Sequence, residues 1–398
     1  MEAYLDNSAT TRAYPEVGDL VYKVMCQDYG NPSSMHRKGV DAEHYVKEAK
    51  ETIAKVLKVN AKDIYFTSGG TESDNLALIG CARANRRAGN HLITTSIEHP
   101  AILNTMRYLE EEEGFRVTYL PVDASGRVNL DALKEALCPE TILVSVMYVN
   151  NEVGTLQPID EAVKIVKEYN SSILFHSDAV QGFGKYHIYP KRQKIDLLSA
   201  SGHKIHGPKG TGFLYVGEKV KIKPILFGGG QQKDLRSGTE NVPGIAGMGK
   251  AAEIAFTTRE YREKEIQQLR DYLIRRLQRG IPYCRLNGSL TNRLPGNCNI
   301  SFQFIEGNEL LLLLDEKNIC ASAASACSTG DTSPSHVLTA MGIPEKLARG
   351  TLRLTIGYQN TREEIDYTVQ CIKEAVEKLR ENAEDYRRYK ETFPCNIM

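Results

Sequence analysis

The chain has 398 residues, 41% of them hydrophobic and 25% charged, which is typical of a globular protein with a sizeable core. Its 50 basic and 50 acidic side chains give a formal net charge of +0, which argues against a general electrostatic affinity for nucleic acid or for an anionic membrane surface. The nine cysteines form no Cys-x-x-Cys pair, so neither a disulfide framework nor a structural zinc site is expected.

Short apolar strands alternate with helical patterns through the first half of the chain. We predict helices from Pro15 and at 40–59, 76–81, 100–112, 130–137 and 159–169, and strands at 64–67, 91–96, 115–120, 141–149, 173–176, 195–198 and 211–216. Such alternation is typical of βαβ units, so we expect an α/β fold with a mostly parallel central sheet flanked by helices.

A long charged helix at 246–279 separates this region from the remainder of the chain. Strands are predicted at 294–302 and 351–357, and helices at 309–316 and 363–379. We therefore place a domain boundary near Glu260. Residues 15–260 form a large domain, while residues 1–14 and 261–398 form a smaller α+β domain.

Polar residues follow several predicted strands, at the edge where ligands of open α/β sheets bind. They are Thr71, the pair Glu98-His99, the pair Asn150-Asn151, and Asp178. Each could be an ordinary cap or turn residue, but four at equivalent strand ends indicate a site. The glycine- and hydroxyl-rich turn at 68–73, lying between a strand and a helix, suits an anion such as phosphate.

A second glycine-rich turn, at 199–210, carries Lys204. Alone it could equally be a solvated turn, but a desolvated lysine can form a Schiff base with an aldehyde cofactor. Asp178 could pair with a protonated ring nitrogen. Pyridoxal 5'-phosphate has such a nitrogen, an aldehyde for the lysine and a phosphate for the helix N-terminus, so this layout predicts pyridoxal phosphate chemistry.

Motifs spread over nearly the whole chain resemble those of the cysteine desulfurases: 6–11, 31–34, 67–73, 98–99, 150–154, 201–204 (Ser-Gly-His-Lys), 236–239 and 325–327 (Ser-Ala-Cys). These are pyridoxal phosphate enzymes of the class-V aminotransferase family and fold type I, the aspartate-aminotransferase-like fold. They supply sulfur for iron–sulfur clusters and related products. The stretch 328–335 is similar to the long-loop group I of this family.

The resemblance implies specific roles. Lys204 forms the Schiff base and acts as general base, His99 stacks on the ring, Asp178 pairs with the ring nitrogen, and Cys327 is the nucleophile that becomes a persulfide. The remaining cofactor-binding residues are Gly70, Thr71, Asn151, Gln181, Ser201, His203 and Thr239. Asn151 and Arg353 bind the substrate, and Arg353 grips its carboxylate.

The same resemblance implies the partners. We expect L-cysteine as substrate and a homodimer in which Thr239 reaches the partner's active site. Sulfur passes to an iron–sulfur scaffold or another acceptor. No resident metal is expected, although Cys327 can transiently contact a nascent iron–sulfur cluster.

Two alternatives stay open. One is a selenocysteine lyase or another pyridoxal phosphate lyase, because selenium chemistry does not necessarily require the Cys327 thiol. The other is a sulfur-delivery subunit that is active only with a scaffold partner. An aminotransferase would leave the cysteine loop unexplained. With neither a secretory leader nor an apolar run of membrane-spanning length in the sequence, we expect a cytoplasmic protein without membrane or direct nucleic-acid partners.

Overall fold

The computed structural model describes residues 1–323 and 334–392. The strands are β1 Ala3–Tyr4, β2 Ile64–Thr67, β3 His91–Thr95, β4 Arg116–Leu120, β5 Thr141–Ser145, β6 Leu174–Asp178, β7 Leu197–Ser201, β8 Gly212–Val216, β9 Cys284–Leu286, β10 Asn297–Phe302, β11 Ile319–Cys320, β12 Ser322–Ala323 and β13 Thr351–Thr355. The helices are α1 Pro15–Cys26, α2 Arg37–Leu57, α3 Gly70–Asn85, α4 Pro100–Glu111, α5 Leu130–Ala136, α6 Ile159–Tyr169, α7 Pro190–Gln193, α8 Val242–Gly280, α9 Gly307–Asp315, α10 His336–Ala340, α11 Glu345–Arg349, α12 Arg362–Asn382 and α13 Glu384–Thr392.

A seven-stranded sheet in the order β2-β8-β7-β6-β5-β3-β4 forms the centre of the larger part. Only β8 runs against its neighbours, which pair with it antiparallel, while β7, β6, β5, β3 and β4 pair in parallel. The predicted mostly parallel sheet is therefore confirmed. Strand β5 is buried along its whole length because helices cover both faces of the sheet.

Separate apolar clusters pack on the two faces of this sheet. One joins Ile53 of α2 and Met248 of α8 to sheet residues such as Phe175. The other joins Leu78 of α3 and Met106 of α4 to the opposite face. Helices α2 and α4 each bury one apolar stripe, as the 3.6-residue period of their sequences predicts.

The C-terminal part has its own sheet and core. Strands β12-β13-β10-β9 form an antiparallel sheet, and β1 pairs in parallel with β11. Helix α8 runs unbroken for 39 residues, with Ala251 in the core of the large sheet and Leu273 in the core of the smaller part. The predicted boundary near Glu260 falls inside this helix, and the division into two domains stays a prediction.

Several predicted boundaries are wrong in ways that concern the site. Helix α3 begins at Gly70, six residues earlier than predicted, so the glycine turn itself forms its first turn. Strands β6 and β7 extend to Asp178 and Ser201, because cross-strand pairing continues past the apolar residues. Beyond the helix predicted at 363–379 lies α13, whose tyrosines pack around Tyr283.

None of the helices in residues 1–323 and 334–392 is both long and apolar enough to cross a membrane.

We predict that Gly249→Ala lowers the free energy of unfolding by about 1–3 kcal/mol. Helices α2 and α8 meet at this glycine, and a Cβ here would lie 2.8 Å from the Cα of Ala49. Gly18→Ala is the matched control, since a Cβ on Gly18 of α1 has nothing within 4 Å. It should stabilise the protein by about 0.5–1 kcal/mol. Urea unfolding of both variants tests the pair, and equal effects would contradict the proposed close contact.

Candidate active site

A cleft of about 470 Å³ opens at the carboxyl ends of β6 and β7, beside β12 and β13 of the smaller sheet. Ten of the twelve predicted site residues line it: Gly70, Thr71, His99, Asn151, Asp178, Gln181, Ser201, His203, Lys204 and Arg353. Thr239 does not line the cleft and is exposed on the segment between β8 and α8. Cys327 and most of the predicted long loop lie outside the described residues.

Lys204 is held at the end of β7. The strand ends at Ser201 and continues into one 3-10 turn, Gly202–Lys204. The Lys204 amine donates hydrogen bonds to the carbonyl oxygens of Ser8 at 2.5 Å and Ala9 at 2.7 Å. The N-terminal segment thus lies directly against the lysine on which the predicted covalent chemistry depends.

Asp178 ends the neighbouring strand and is 6% exposed. Its Oδ1 accepts a hydrogen bond from the Val180 amide at 2.8 Å. Burial raises the pKa of this carboxyl to about 6, although the Val180 amide and the charge of Lys204 act in the opposite direction. A protonated ring nitrogen placed beside Asp178 would favour the ionised carboxylate.

The N-terminus of α3 faces the same cleft, and the backbone amides there suit an anion. In the described part of the chain no side chain caps this helix, whose N-cap residue Gly69 has φ 155°, a conformation open to glycine alone. A Cβ at Gly212 would lie 2.6 Å from the Cα of Gly69, so β8 also needs glycine at this point. Uncapped amides with Ser201 and His203 nearby form a donor set that fits a phosphate group.

His99 is the N-cap residue of α4, and its Nδ1 accepts a hydrogen bond from the Ala101 amide at 3.1 Å. This bond assigns the ring proton of neutral His99 to Nε2. Burial, with a further contribution from Lys204, lowers the pKa of His99 to about 4. The ring is therefore neutral at physiological pH, which suits stacking on a cofactor ring.

Arg353 enters the cleft from β13 on the opposite side. Asp6 accepts a hydrogen bond from its guanidinium at 3.0 Å, and the Asn151 carbonyl accepts another at 3.2 Å. Its Nε is buried and has no hydrogen-bond partner within residues 1–323 and 334–392. A guanidinium fixed in this way can bind a carboxylate.

Sequence reasoning missed several polar residues of the cleft. Asp6 belongs to a quoted motif, but its ion pair with Arg353 spans 347 positions, which no local pattern indicates. Lys185 donates to Gln181 Oε1 at 3.1 Å, while Gln181 Nε2 donates to the Ser8 carbonyl. Asp74 lines the cleft from α3 and reads in the sequence as an ordinary helix residue.

The chain was compared with known proteins. Residues 3–368 match the family described as "Aminotransferase class-V". The chain belongs to this family. A "Cysteine desulfurase IscS" of Methanosarcina thermophila is 49% identical over 377 residues, covering 95% of this chain and 92% of the relative. A solved "NIFS-LIKE PROTEIN" has a TM-score of 0.90 at 40% identity, covering 95% of this chain and all of that one. A structure titled "SspA in complex with cysteine" has a TM-score of 0.79 at 36% identity, covering 90% and 100%.

These comparisons confirm the resemblance to the cysteine desulfurases and the prediction of fold type I. They also confirm that the chain is a pyridoxal phosphate-dependent cysteine desulfurase. The cleft fits this cofactor, because the α3 amides suit the phosphate, Lys204 the aldehyde and Asp178 the ring nitrogen. The individual residue roles stay predictions.

His99→Gln should weaken the pH dependence of stability of the cofactor-free protein between pH 6.5 and about 4. In this window the unfolded state holds a proton that folded His99, with its pKa near 4, does not. The wild type therefore loses stability as the pH falls, by at most about 1.4 kcal/mol per pH unit for this group. Urea unfolding across this range tests the expectation. His44→Gln, at an exposed position on α2, is the control, and identical slopes in all three proteins would contradict it.

Proposed function

We propose that the chain transfers the sulfur of L-cysteine to the thiol of Cys327 within this cleft. The reaction breaks the Cβ–S bond of the substrate and forms an S–S bond, so L-cysteine and the Cys327 thiol yield L-alanine and a Cys327 persulfide. The observation that carries this proposal is the convergence of Lys204, Asp178 and Arg353 on one cleft in a chain with cysteine desulfurase relatives.

Lys204 moves the proton. Pyridoxal phosphate, when bound, supplies an electron sink that stabilises negative charge at the substrate Cα. The Lys204 amine, when it is not bonded to the cofactor, would be a base suited to take a proton from this carbon. The carbonyls of Ser8 and Ala9, which accept hydrogen bonds from the amine, orient Nζ and limit where it can travel.

The other side chains bind and orient. Asp178 would pair with a protonated ring nitrogen, and His99 would stack on the ring. The resemblance implies that Gln181 and Asn151, which both line the cleft, contact the ring on its hydroxyl side. Arg353, held by Asp6, binds the substrate carboxylate and so fixes the direction in which the thiol group points.

Chain connectivity supports Cys327 as the sulfur acceptor. Strand β12, Ser322–Ala323, lines the cleft, and four residues of extended chain from Ala323 span at most about 14 Å. The chain from Ala323 is therefore long enough for the Cys327 thiol to reach a substrate sulfur in the cleft. A thiolate there can attack the sulfur and later pass it on.

We further propose a cytoplasmic homodimer that delivers sulfur to an iron–sulfur scaffold or another acceptor. The segment that carries Thr239 also exposes Leu226 and Phe227, with Phe227 78% exposed. Exposed neighbouring apolar side chains of this size are typical of an interface. Burying them against a second copy would bring Thr239 towards the partner's cleft, where the resemblance implies a phosphate contact.

The decisive activity test is Cys327→Ala. The wild type should be yellow with pyridoxal phosphate and release equal amounts of alanine and sulfide from cysteine plus a reductant. The variant should stay yellow, because no cofactor contact is removed, and lose turnover by at least about 100-fold. Cys26→Ser, which replaces an exposed cysteine, should keep full activity.

Other outcomes identify the alternatives. A Cys327→Ala protein that still releases sulfide, or that retains full activity on selenocysteine, would favour a lyase. A wild type that turns over cysteine only after a scaffold protein is added would favour the delivery subunit. A protein that stays colourless after pyridoxal phosphate is added would contradict the proposed site.

Phe227→Asp should weaken the dimer at least about tenfold, since it places a charge in the proposed apolar contact. Analytical ultracentrifugation measures the dissociation constant, and dialysis against the cofactor measures cofactor retention. Retention should fall with the dimer, because Thr239 no longer reaches the partner. Leu290→Asp, at an apolar position that is 75% exposed elsewhere, is the control. An unchanged dimer in Phe227→Asp would exclude this surface.

A further inference from the structure

A buried carboxyl group on α3, that of Asp74, lies in the cleft wall beside the predicted cofactor residues. Asp74 is in the second turn of α3, four residues after Gly70, and is 1% exposed. Its Oδ1 has no hydrogen-bond partner within the described residues. The nearest basic atom to it is His176 Nε2 at 3.7 Å, beyond hydrogen-bond distance. None of the roles proposed above uses this group.

The sheet register relates His176, the neighbour of Asp74, to Asp178. His176 and Asp178 are two residues apart on β6 and therefore face the same side of the sheet. Ser199 of β7 is the direct cross-strand neighbour of Asp178. His176 lies between Ser145 Oγ at 2.9 Å and Ser199 Oγ at 3.0 Å. We call Asp74, His176, Ser199 and Ser145 the Asp74 cluster, and all four side chains are buried.

The surroundings of Asp74 favour its neutral form. No lysine or arginine nitrogen comes within 4 Å of its carboxyl in residues 1–323 and 334–392. An ionised carboxylate with one buried and unpartnered oxygen is costly. Burial raises the pKa of Asp74 well above its usual range, and the negative charges of Asp178 and Glu98 raise it further, against the hydrogen bond from Ser199.

His176 cannot supply the missing positive charge. Burial lowers the pKa of this histidine to about 3, so it is neutral at physiological pH. Of two neighbouring buried carboxyls, the one nearer a cation ionises first. Asp178 has that advantage, because Lys204 favours its charged form.

We propose that Asp74 is a positioning residue that holds a proton behind Asp178, so that Asp178 is the single carboxylate anion available to the ring nitrogen of pyridoxal phosphate. The inference rests on the proposed placement of that nitrogen at Asp178. Neutral Asp74 packs against His176 and Ser199 and keeps water from the inner side of Asp178. Two anions at this point would repel each other, so one of the two buried carboxyls keeps its proton.

Infrared difference spectroscopy of the holoenzyme tests the protonation state directly. The wild-type spectrum minus the Asp74→Asn spectrum, both at neutral pH, should show one protonated carboxylic acid band that the variant lacks. Loss of an ionised carboxylate band instead would overturn the proposal. The cofactor contributes to both spectra and cancels, so this result does not depend on where the ring nitrogen lies.

The positioning role is tested by the pH titration of the cofactor's visible absorbance. Asp74→Asn replaces one neutral group by another and should keep the midpoint. Asp74→Ala opens the cluster to water and should shift the midpoint by about one unit and weaken cofactor binding about tenfold. An unshifted Asp74→Ala, or a shift of a full unit in Asp74→Asn, would overturn the proposal.

Two controls separate this inference from the proposed site. Asp63→Ala removes another buried aspartate, which is 4% exposed and does not line the cleft, and it should not move the midpoint. If it moved the midpoint as Asp74→Ala does, a general loss of packing would explain both shifts, and the proposal would be overturned. Asp178→Asn should move the midpoint strongly. If it has no effect, the placement of the ring nitrogen is wrong, whatever Asp74 does.

Discussion

Hydrogen bonds made by one segment, residues 5–11, join the two sides of the cleft. On the side of the smaller sheet, the Thr355 amide donates to the Leu5 carbonyl and the Ser8 amide donates to Thr355 Oγ1. On the other side, the Thr11 hydroxyl donates to the His203 carbonyl. Lys204 follows β7 of the large sheet and Arg353 lies on β13 of the smaller sheet, yet both contact this segment. The distance between Lys204 and Arg353 therefore depends on a segment fewer than ten residues long.

Burial determines the protonation states of the titratable groups in the cleft. The half-buried histidines of the cleft, His99 and His203, are neutral, because desolvation lowers their pKa values to about 4. The carboxyl pKa of Asp178 is raised for the same reason. The basic side chains Lys204 and Arg353 instead contact carbonyls or a carboxylate. Few side chains of the cleft are charged, so each charged group of a substrate or cofactor pairs with one defined side chain. The buried surroundings screen such a pair only weakly.

The sequence indicated the wall of the cleft made by the large sheet better than it indicated the connections across the cleft. Parallel strands bring their carboxyl ends together, so Thr71, His99 and Asp178 could be placed at one edge from pattern alone. The Asp6–Arg353 ion pair could not, because its partners are 347 positions apart in the sequence. Asp74 was missed for another reason: one aspartate in a helix is usually solvated, and only packing against β6 and β7 makes it a buried acid. Tertiary contacts also explain why the ends of β6 and β7 were missed, because cross-strand pairing extends both strands into polar residues that carry no local strand pattern.

One further contact connects the cofactor site to the proposed dimer. Glu72 follows Thr71 in the first turn of α3, and its carboxylate accepts a hydrogen bond from Arg236 Nε at 2.7 Å. The same Glu72 carboxylate also accepts one from the Ser68 amide. Arg236 lies three residues before Thr239 and on the segment that exposes Phe227.

In the proposed dimer, the Glu72–Arg236 ion pair connects the proposed phosphate-binding turn of one chain to the segment whose Thr239 reaches the cleft of its partner. Because both side chains are about four-fifths buried, the pair is screened less than a surface ion pair. Ordering of the first turn of α3 should therefore favour ordering of the segment that carries Arg236, and the reverse. Dimer formation and cofactor binding should then strengthen each other.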